Sequence, residues 1–236
     1  MSNSTPPFRL TREAALADAI RAFVESGDPD AKLISAEEHR NSIGSLLATH
    51  PEDEDVWLFA YGSLMWNPMI HWAEKGPALL RGYHRRFCLR TNIGRGTTEC
   101  PGLTLALEPG GACHGIAYRI ARAEAPDELE LVWRREMLTG AYKPRWVSLT
   151  MAGGPLCAIA FVANRNHYRY AGRLSDEQVA NILAKAKGPL GSCAAYLFNS
   201  VFHLEELGVH DRRLWRLRAA VAARIEAAGG TLDEMA

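Results

Sequence analysis

From residue 56 to residue 164 the apolar residues come in short runs, each closed by glycine, proline or charged residues, and one stretch within that interval has helical spacing. Runs of this length and texture are those of buried strands. The candidates are residues 56–60, 78–91 with a break near Gly82, 103–108, 113–120, 142–151 and 156–164. Gly110-Gly111 and Gly153-Gly154-Pro155 supply hairpin-like connections, so neighbouring strands are expected to pair antiparallel. Pro126, at a first-turn position, opens the inserted helix toward Leu138.

The flanks read differently. Leu16, Ala19, Ile20 and Phe23 recur at helical spacing over residues 11–24, with Gly27 as a stop. Ser35 followed by Glu38 has the form of a capping box opening a second helix toward Leu47. Pro51 and the acidic run 52–55 then mark a boundary. Residues 1–54 are read as a helical N-terminal extension and 55–236 as the main domain. Ser175, with Gln178 three residues on, caps another helix ending before Gly188, and helices over 192–207 and 211–228 finish the chain. Helices, a largely antiparallel strand block, then helices again make an α+β chain whose strands suit closure into a small barrel.

Charge and cysteine usage exclude several classes. Lys plus Arg is 27 and Asp plus Glu is 27 in 236 residues, so the chain lacks the basic surplus of a general nucleic-acid binder. The longest uncharged stretch, 148–164, contains Gly153, Gly154 and Pro155 and is no clean membrane span. No basic region followed by an apolar block opens the sequence, so no secretory signal is read and a cytoplasmic location is expected. The cysteines number 5, without C-x-x-C spacing, and none of the 8 histidines forms an H-E-x-x-H pair. A disulfide scaffold and a metal site are not expected, and no cofactor is implied.

Four places invite chemistry. In Leu58-Phe59-Ala60-Tyr61-Gly62-Ser63-Leu64, a glycine after a buried strand lets backbone N–H groups approach a ligand, although an ordinary tight turn accounts for the same residues. Glu136 falls at i+7 from Leu129, on the stripe with Val132 and Trp133, which puts a carboxylate within about 20° of the inward face. There it either has a raised pKa suited to a general base or serves a structural ion pair with Arg134, Arg135 or a strand arginine. The loop 92–102 is glycine- and proline-rich and suits a polar pocket wall, but it lacks the setting and form of a phosphate loop. Cys100 within it has no nucleophile signature and reads as a small structural cysteine. Finally, Arg81, His84, Arg85, Arg86 and Arg90 read as a solvated basic strand face that can steer an acidic small substrate.

The blocks VWLFAYGSLMWNP, RGYHRRFCLRT, RGTTECPGLTLALEPGGACHGIAYRI, WRREMLTGAY and AAYLFN, in this order over roughly residues 56–220, resemble the ChaC-type gamma-glutamylcyclotransferases. The resemblance implies a gamma-glutamylcyclotransferase-like fold, a small mixed barrel flanked by helices, acting on glutathione without metal or cofactor to give 5-oxoproline and cysteinylglycine. It puts the substrate cradle on the segment from Leu58 through Ser63 and the catalytic glutamate on Glu136. Ala60 stands where many relatives carry glycine, and Met137-Leu138-Thr139 replaces a lysine-glycine-glycine-like stretch of some. Residues 1–54 have no counterpart in the minimal family core.

The implied reaction suits these residues. The α-amine of a γ-glutamyl group attacks its own γ-carbonyl, so the protein supplies folding of the chain and proton transfer rather than a nucleophile. Amides of the Tyr61–Leu64 turn are expected to hold the α-carboxylate or the oxyanion, with Tyr142 and Tyr196 as phenolic partners at the pocket wall or as core tyrosines. The alternatives are a cyclotransferase for other γ-glutamyl amines or dipeptides, and a non-enzymatic cation-transport regulator.

Overall fold

The computed structural model describes residues 8–28 and 31–231; the first seven residues of the N-terminal stretch read for a signal lie outside it. Five strands close into a barrel in the order β1-β3-β2-β4-β5. They are β1 (Val56–Ala60), β2 (Glu74–Thr91), β3 (Gly102–Ile120), β4 (Tyr142–Met151) and β5 (Gly154–Ala163). β1 runs antiparallel to β3 and meets β5 in parallel at Leu58 and Ile159, which makes the closure mixed. Leu58, Phe59, Leu80, Leu105, Leu107, Ile120 and Phe161 belong to one core on the two faces of the sheet and are all but inaccessible to solvent.

Two readings of the strand block are corrected. Gly110-Gly111 is not a hairpin turn, and the strand is not broken at Gly82. β2 and β3 pair through this region, with the register shifting between Arg81 and Tyr83. Gly82 (φ 85°) faces Gly110 (φ 104°) and Gly111 (φ 73°). Positive φ on both strands lets the unequal residue count be absorbed as a bulge, after which the ladder resumes. A second shift lies between Phe87 and Leu89.

Seven α-helices surround the barrel among the described residues: α1 (Arg12–Leu16), α2 (Ala19–Gly27), α3 (Ala36–Leu47), α4 (Ala125–Glu136), α5 (Asp176–Lys185), α6 (Cys193–Glu206) and α7 (Arg212–Ala227). Both capping boxes form, at Ser35 with Glu38 and at Ser175 with Gln178, while Ser192 and Asp211 cap α6 and α7. The single helix expected over 11–24 is two, because Asp18 takes a left-handed conformation (φ 53°) between them. None of the helices is long and apolar enough to cross a membrane.

The N-terminal helices are fixed to the barrel side by a half-buried ion pair. Arg12 donates to both oxygens of Glu128 on α4, at 2.5 and 2.7 Å, and to the Met69 carbonyl. Burial pushes the Glu128 carboxyl up, but the Arg12 bond, the His71 amide and the charges of both outweigh it, so its pKa lies below the ordinary value. A depressed carboxyl contributes stability above the unfolded pKa and loses it as pH falls through the folded one. Arg12→Ala, which leaves Glu128 with only the amide and the ring of His71 beside it, is expected to cost about 1–3 kcal/mol at pH 7. Thermal unfolding of both proteins should show a gap at pH 7 that narrows as Glu128 becomes protonated.

Candidate active site

α4 carries Glu136 as its last residue, and the reason for its inward placement is visible along the helix. Leu129, Val132 and Trp133 are buried against the barrel, and Trp133 Nε1 donates to Ser42 Oγ of α3 at 3.1 Å. One turn further on, the same stripe brings the Glu136 side chain to the mouth of the barrel at 14% exposure. Burial raises its pKa above the ordinary carboxylate value, against the opposing pull of Arg135 and the weaker one of Arg169. Its position at a helix C-terminus, the negative end of the helix dipole, is unfavourable to the charged form as well.

The structural ion pair weighed for Glu136 is present. Arg135 Nε lies 2.9 Å from Glu136 Oε1. The same guanidinium donates to Ser63 Oγ at 2.6 Å and to the Asn67 carbonyl at 2.7 Å, so one arginine ties the carboxylate to the turn after β1. Arg134 turns away to Glu130 at 2.6 Å. An ion pair and a solvent-reachable carboxylate coexist here, because Glu136 also lines a cavity.

That cavity consists of two neighbouring compartments that share part of their walls. The inner one, about 20 Å³, is lined by Tyr61, Gly62, Ser63, Leu64, Leu105 and Phe161, and offers room for a group the size of a water or a carboxylate oxygen. The outer one, about 180 Å³, is bounded by Thr91, Ile93, Gly94, Arg95, Thr104, Arg135, Leu138, Thr139, Arg169 and Leu190, together with Leu10, Ile20, Phe23 and Val24 from the N-terminal segment. Ser63, Glu136, Tyr142 and Tyr196 line both.

The turn is built for close approach. A short 3-10 helix, Ser63–Met65, starts after Gly62, and the first amides of such a helix have no acceptor within it. Gly62 has φ −139°, so its need is for space rather than for a left-handed backbone: a Cβ there would lie 2.7 Å from the Tyr196 hydroxyl. Tyr196 faces the Ser63 amide, and burial pushes its phenol up to about 12. Tyr142, raised well above the usual tyrosine value by burial, donates to the Leu105 carbonyl at 2.9 Å, and Tyr61 donates to the Phe161 carbonyl at 2.6 Å. These phenols are donors throughout the neutral range.

Of the residues expected from sequence, the structure brings Tyr61, Gly62, Ser63, Leu64, Glu136, Tyr142 and Tyr196 around one cavity. Leu58, Phe59 and Ala60 lie in β1 beneath it, with no exposure, and line neither compartment. Cys100 is exposed and lies outside the cavity wall. No group of three or more His, Cys, Asp or Glu among the described residues is arranged to hold a metal ion.

The sequence offers Arg135 as a partner of Glu136 and the loop 92–102, which holds Arg95, as a polar pocket wall, and both line the cavity. It misses Arg169 and the apolar wall from α2, and it misplaces two strand arginines. Arg85 is 5% exposed, not a solvated face residue. Its Nη1 donates to the Tyr61 carbonyl at 2.6 Å and its Nη2 to the His114 carbonyl, with Oδ2 of Asp211, the cap of α7, 3.3 Å from Nε. By holding the Tyr61 carbonyl, Arg85 fixes the peptide plane from which the turn departs. Arg86 is likewise drawn inward to Glu108 and the Leu174 carbonyl. Arg81 and Arg90 remain exposed.

Residues 56–224 match the family model described as ChaC-like protein. The glutathione-specific gamma-glutamylcyclotransferase of Escherichia coli K12 is 42% identical over 214 residues, covering 90% of this chain and 92% of its own. That extent reaches into the segment before residue 56. Glutathione-specific gamma-glutamylcyclotransferase 1 of Danio rerio is 30% identical over 177 residues, covering 72% of this chain and 90% of its own. A yeast gamma-glutamyl cyclotransferase specific to glutathione superposes with a TM-score of 0.66 at 20% identity, over 72% of this chain and 96% of that one, which shows a shared fold. With a family match spanning the whole barrel, α4 to α6 and most of α7, the chain belongs to the ChaC-like protein family.

Proposed function

We propose that this chain is a glutathione-specific gamma-glutamylcyclotransferase, cleaving glutathione to 5-oxoproline and cysteinylglycine. The observation that carries the mechanism is a single carboxylate, Glu136, with a raised pKa at the junction of the two compartments, facing a glycine turn on one side and open space on the other. The names of the E. coli and zebrafish relatives supply the substrate.

In this reading the glutamyl α-carboxylate sits against the Gly62–Leu64 amides, and the scissile γ-amide lies beside Glu136. The α-ammonium gives a proton to Glu136, and the freed amine attacks the γ-carbonyl, forming the ring C–N bond. The tetrahedral oxyanion is held by turn amides or by the Tyr196 phenol, and its collapse breaks the γ-amide C–N bond as Glu136 returns the first proton to the departing amine. The regenerated carboxylate then passes the ring nitrogen's second proton to that amine, which leaves as the ammonium of cysteinylglycine. Protons balance, and no water is consumed. Holding the glutamyl chain folded for attack supplies about 7–11 kcal/mol of the barrier reduction. Arg135 holds Glu136 in place while burial keeps its pKa high enough to accept a proton and release it again.

Purified protein incubated with glutathione should release 5-oxoproline and cysteinylglycine in equal amounts, detected by mass spectrometry. N-acetyl-glutathione, which lacks the free amine, and the α-linked Glu-Cys-Gly peptide should be inert. Turnover of either near the glutathione rate would refute intramolecular attack by the α-amine. The cation-transport-regulator reading is set aside, since the relatives are named as enzymes.

A further inference from the structure

Three guanidiniums, Arg95, Arg135 and Arg169, line the outer compartment against one carboxylate, Glu136. Arg135 is matched to Glu136. Arg95 and Arg169 have no carboxylate within ion-pair distance among the described residues. Arg95 donates to the Ser192 carbonyl and stacks on the Tyr196 ring, 5.1 Å from its centre. It lies close enough to Arg135 to feel its charge, on the side of the turn. Arg169 is held on the other side, by Nε to the Arg90 carbonyl at 2.6 Å and Nη1 to Thr139 Oγ1 at 3.2 Å, and its Nη2 has no hydrogen-bond partner among the described residues. The Asp28 carboxylate acts on Arg169 from a distance, its own Oδ2 accepting from Asn92 at 3.3 Å.

A guanidinium fixed in a wall with spare donors and no counter-ion costs desolvation that an incoming carboxylate offsets. Burial lowers the pKa of Arg169, the mark of that cost. The substrate has two carboxylates, one at each end, with the scissile amide between them. Since Glu136 and Ser63 line both compartments while Tyr61, Gly62 and Leu64 line only the inner one, the cysteinylglycine half extends into the outer one. All three arginines line that compartment and not the inner one, but Arg135 is taken by Glu136 and Arg95 by the Ser192 carbonyl and the Tyr196 ring, which leaves Arg169. Phe23 and Val24 of α2 supply the apolar wall beside it for the cysteinyl side chain.

We propose that Arg169 binds the glycyl carboxylate of the substrate and so selects γ-glutamyl tripeptides that end in a free carboxylate. The proposal rests on the glutathione reading above. It concerns binding of the leaving half, apart from the proton transfer at Glu136.

Steady-state kinetics with glutathione and with its C-terminal amide, which is nearly isosteric but neutral at the glycyl end, test this. For the wild-type protein the amide is expected to raise KM by about 10–100-fold, the worth of one charge-assisted hydrogen-bonded pair, with kcat within about threefold. In Arg169→Gln the ratio of the two KM values should collapse toward one, and Arg169→Lys should restore part of it. An arginine that merely braces Thr139 and the Arg90 backbone would instead depress both substrates equally and leave the ratio at its wild-type value. Equal KM values for the two substrates in the wild-type protein overturn the proposal whether or not the variants fold, and so does an unchanged ratio in a folded Arg169→Gln. Failure of the wild-type protein to release 5-oxoproline from glutathione would instead refute the function itself, and the Arg169 assignment with it.

Discussion

Glu136→Gln is expected to lower kcat by about 10²–10⁴-fold, the usual worth of general acid–base catalysis, while glutathione binding persists. Glutamine keeps the size and the bond to Arg135 but cannot take a proton from the ammonium. Wild-type kcat should fall on the acid side as Glu136 becomes protonated, with a midpoint above the ordinary carboxylate value because burial raises it. That limb should vanish in the variant. Stability separates this role from a purely structural one. A carboxyl whose folded pKa is raised favours the folded state only when protonated, so its contribution is present below the unfolded pKa and lost as pH rises through the folded one. At neutral pH the charged, desolvated Glu136 is then a burden, and Glu136→Gln should melt at the wild-type temperature or above it. A melting temperature lowered in proportion to the activity lost would make the Arg135 pair the residue's whole purpose. Turnover, calorimetric affinity and thermal unfolding on one preparation distinguish these outcomes.

Gly62→Val should abolish most turnover, by about 10²-fold or more, in a protein that still folds. The first added carbon already lies 2.7 Å from the Tyr196 hydroxyl and 3.8 Å from Leu105. Tyr196 has little room to yield, being 5% exposed and packed edge-on against Phe87 and tilted against Trp66. The turn must move instead, and a displacement of about 1 Å at a site that works by positioning is worth about two orders of magnitude. Overpacking of this kind costs about 1–3 kcal/mol, which leaves a measurable folded population by circular dichroism. Wild-type kinetics in a folded Gly62→Val protein would remove the turn from the substrate site.

Local signals were legible where local physics decides. Ser35 with Glu38 and Ser175 with Gln178 announced their helices because a capping box is a bond between near neighbours. Val56–Ala60 and Tyr142–Met151 were legible as strands because apolar or alternating runs between turn signals have few other uses. Gly110-Gly111 misled because adjacent glycines with positive φ serve a hairpin and a bulge equally, and only the partner strand chooses. The break at Asp18 was hidden by apolar spacing that continues across it. In the cavity, the inward placement of Glu136 followed from its helical stripe, a property of one element. Arg85 and Arg169 gave no such sign. A charged residue on a strand or loop reads as solvated until distant groups are known to receive it, and their acceptors, the Tyr61, His114 and Arg90 carbonyls, come from remote parts of the chain.

The cavity draws its parts from two stretches of chain with different obligations. The turn and Glu136 belong to the barrel and the helix packed on it, where a substitution disturbs the closed sheet and a core with almost no exposed atoms. The apolar wall of Ile20, Phe23 and Val24 belongs to a short helix outside the barrel, touching it through few groups. Ile20 is itself buried, but exchanges at the half-buried Phe23 and Val24 carry smaller stability penalties and, at this remove from the barrel core, nearly additive ones. Such an arrangement lets a lineage retune what the pocket admits while the chemistry stays under strong purifying constraint. Among relatives that share the segment before residue 56, divergence in substrate range is thus expected to accumulate first in the residues that precede the barrel.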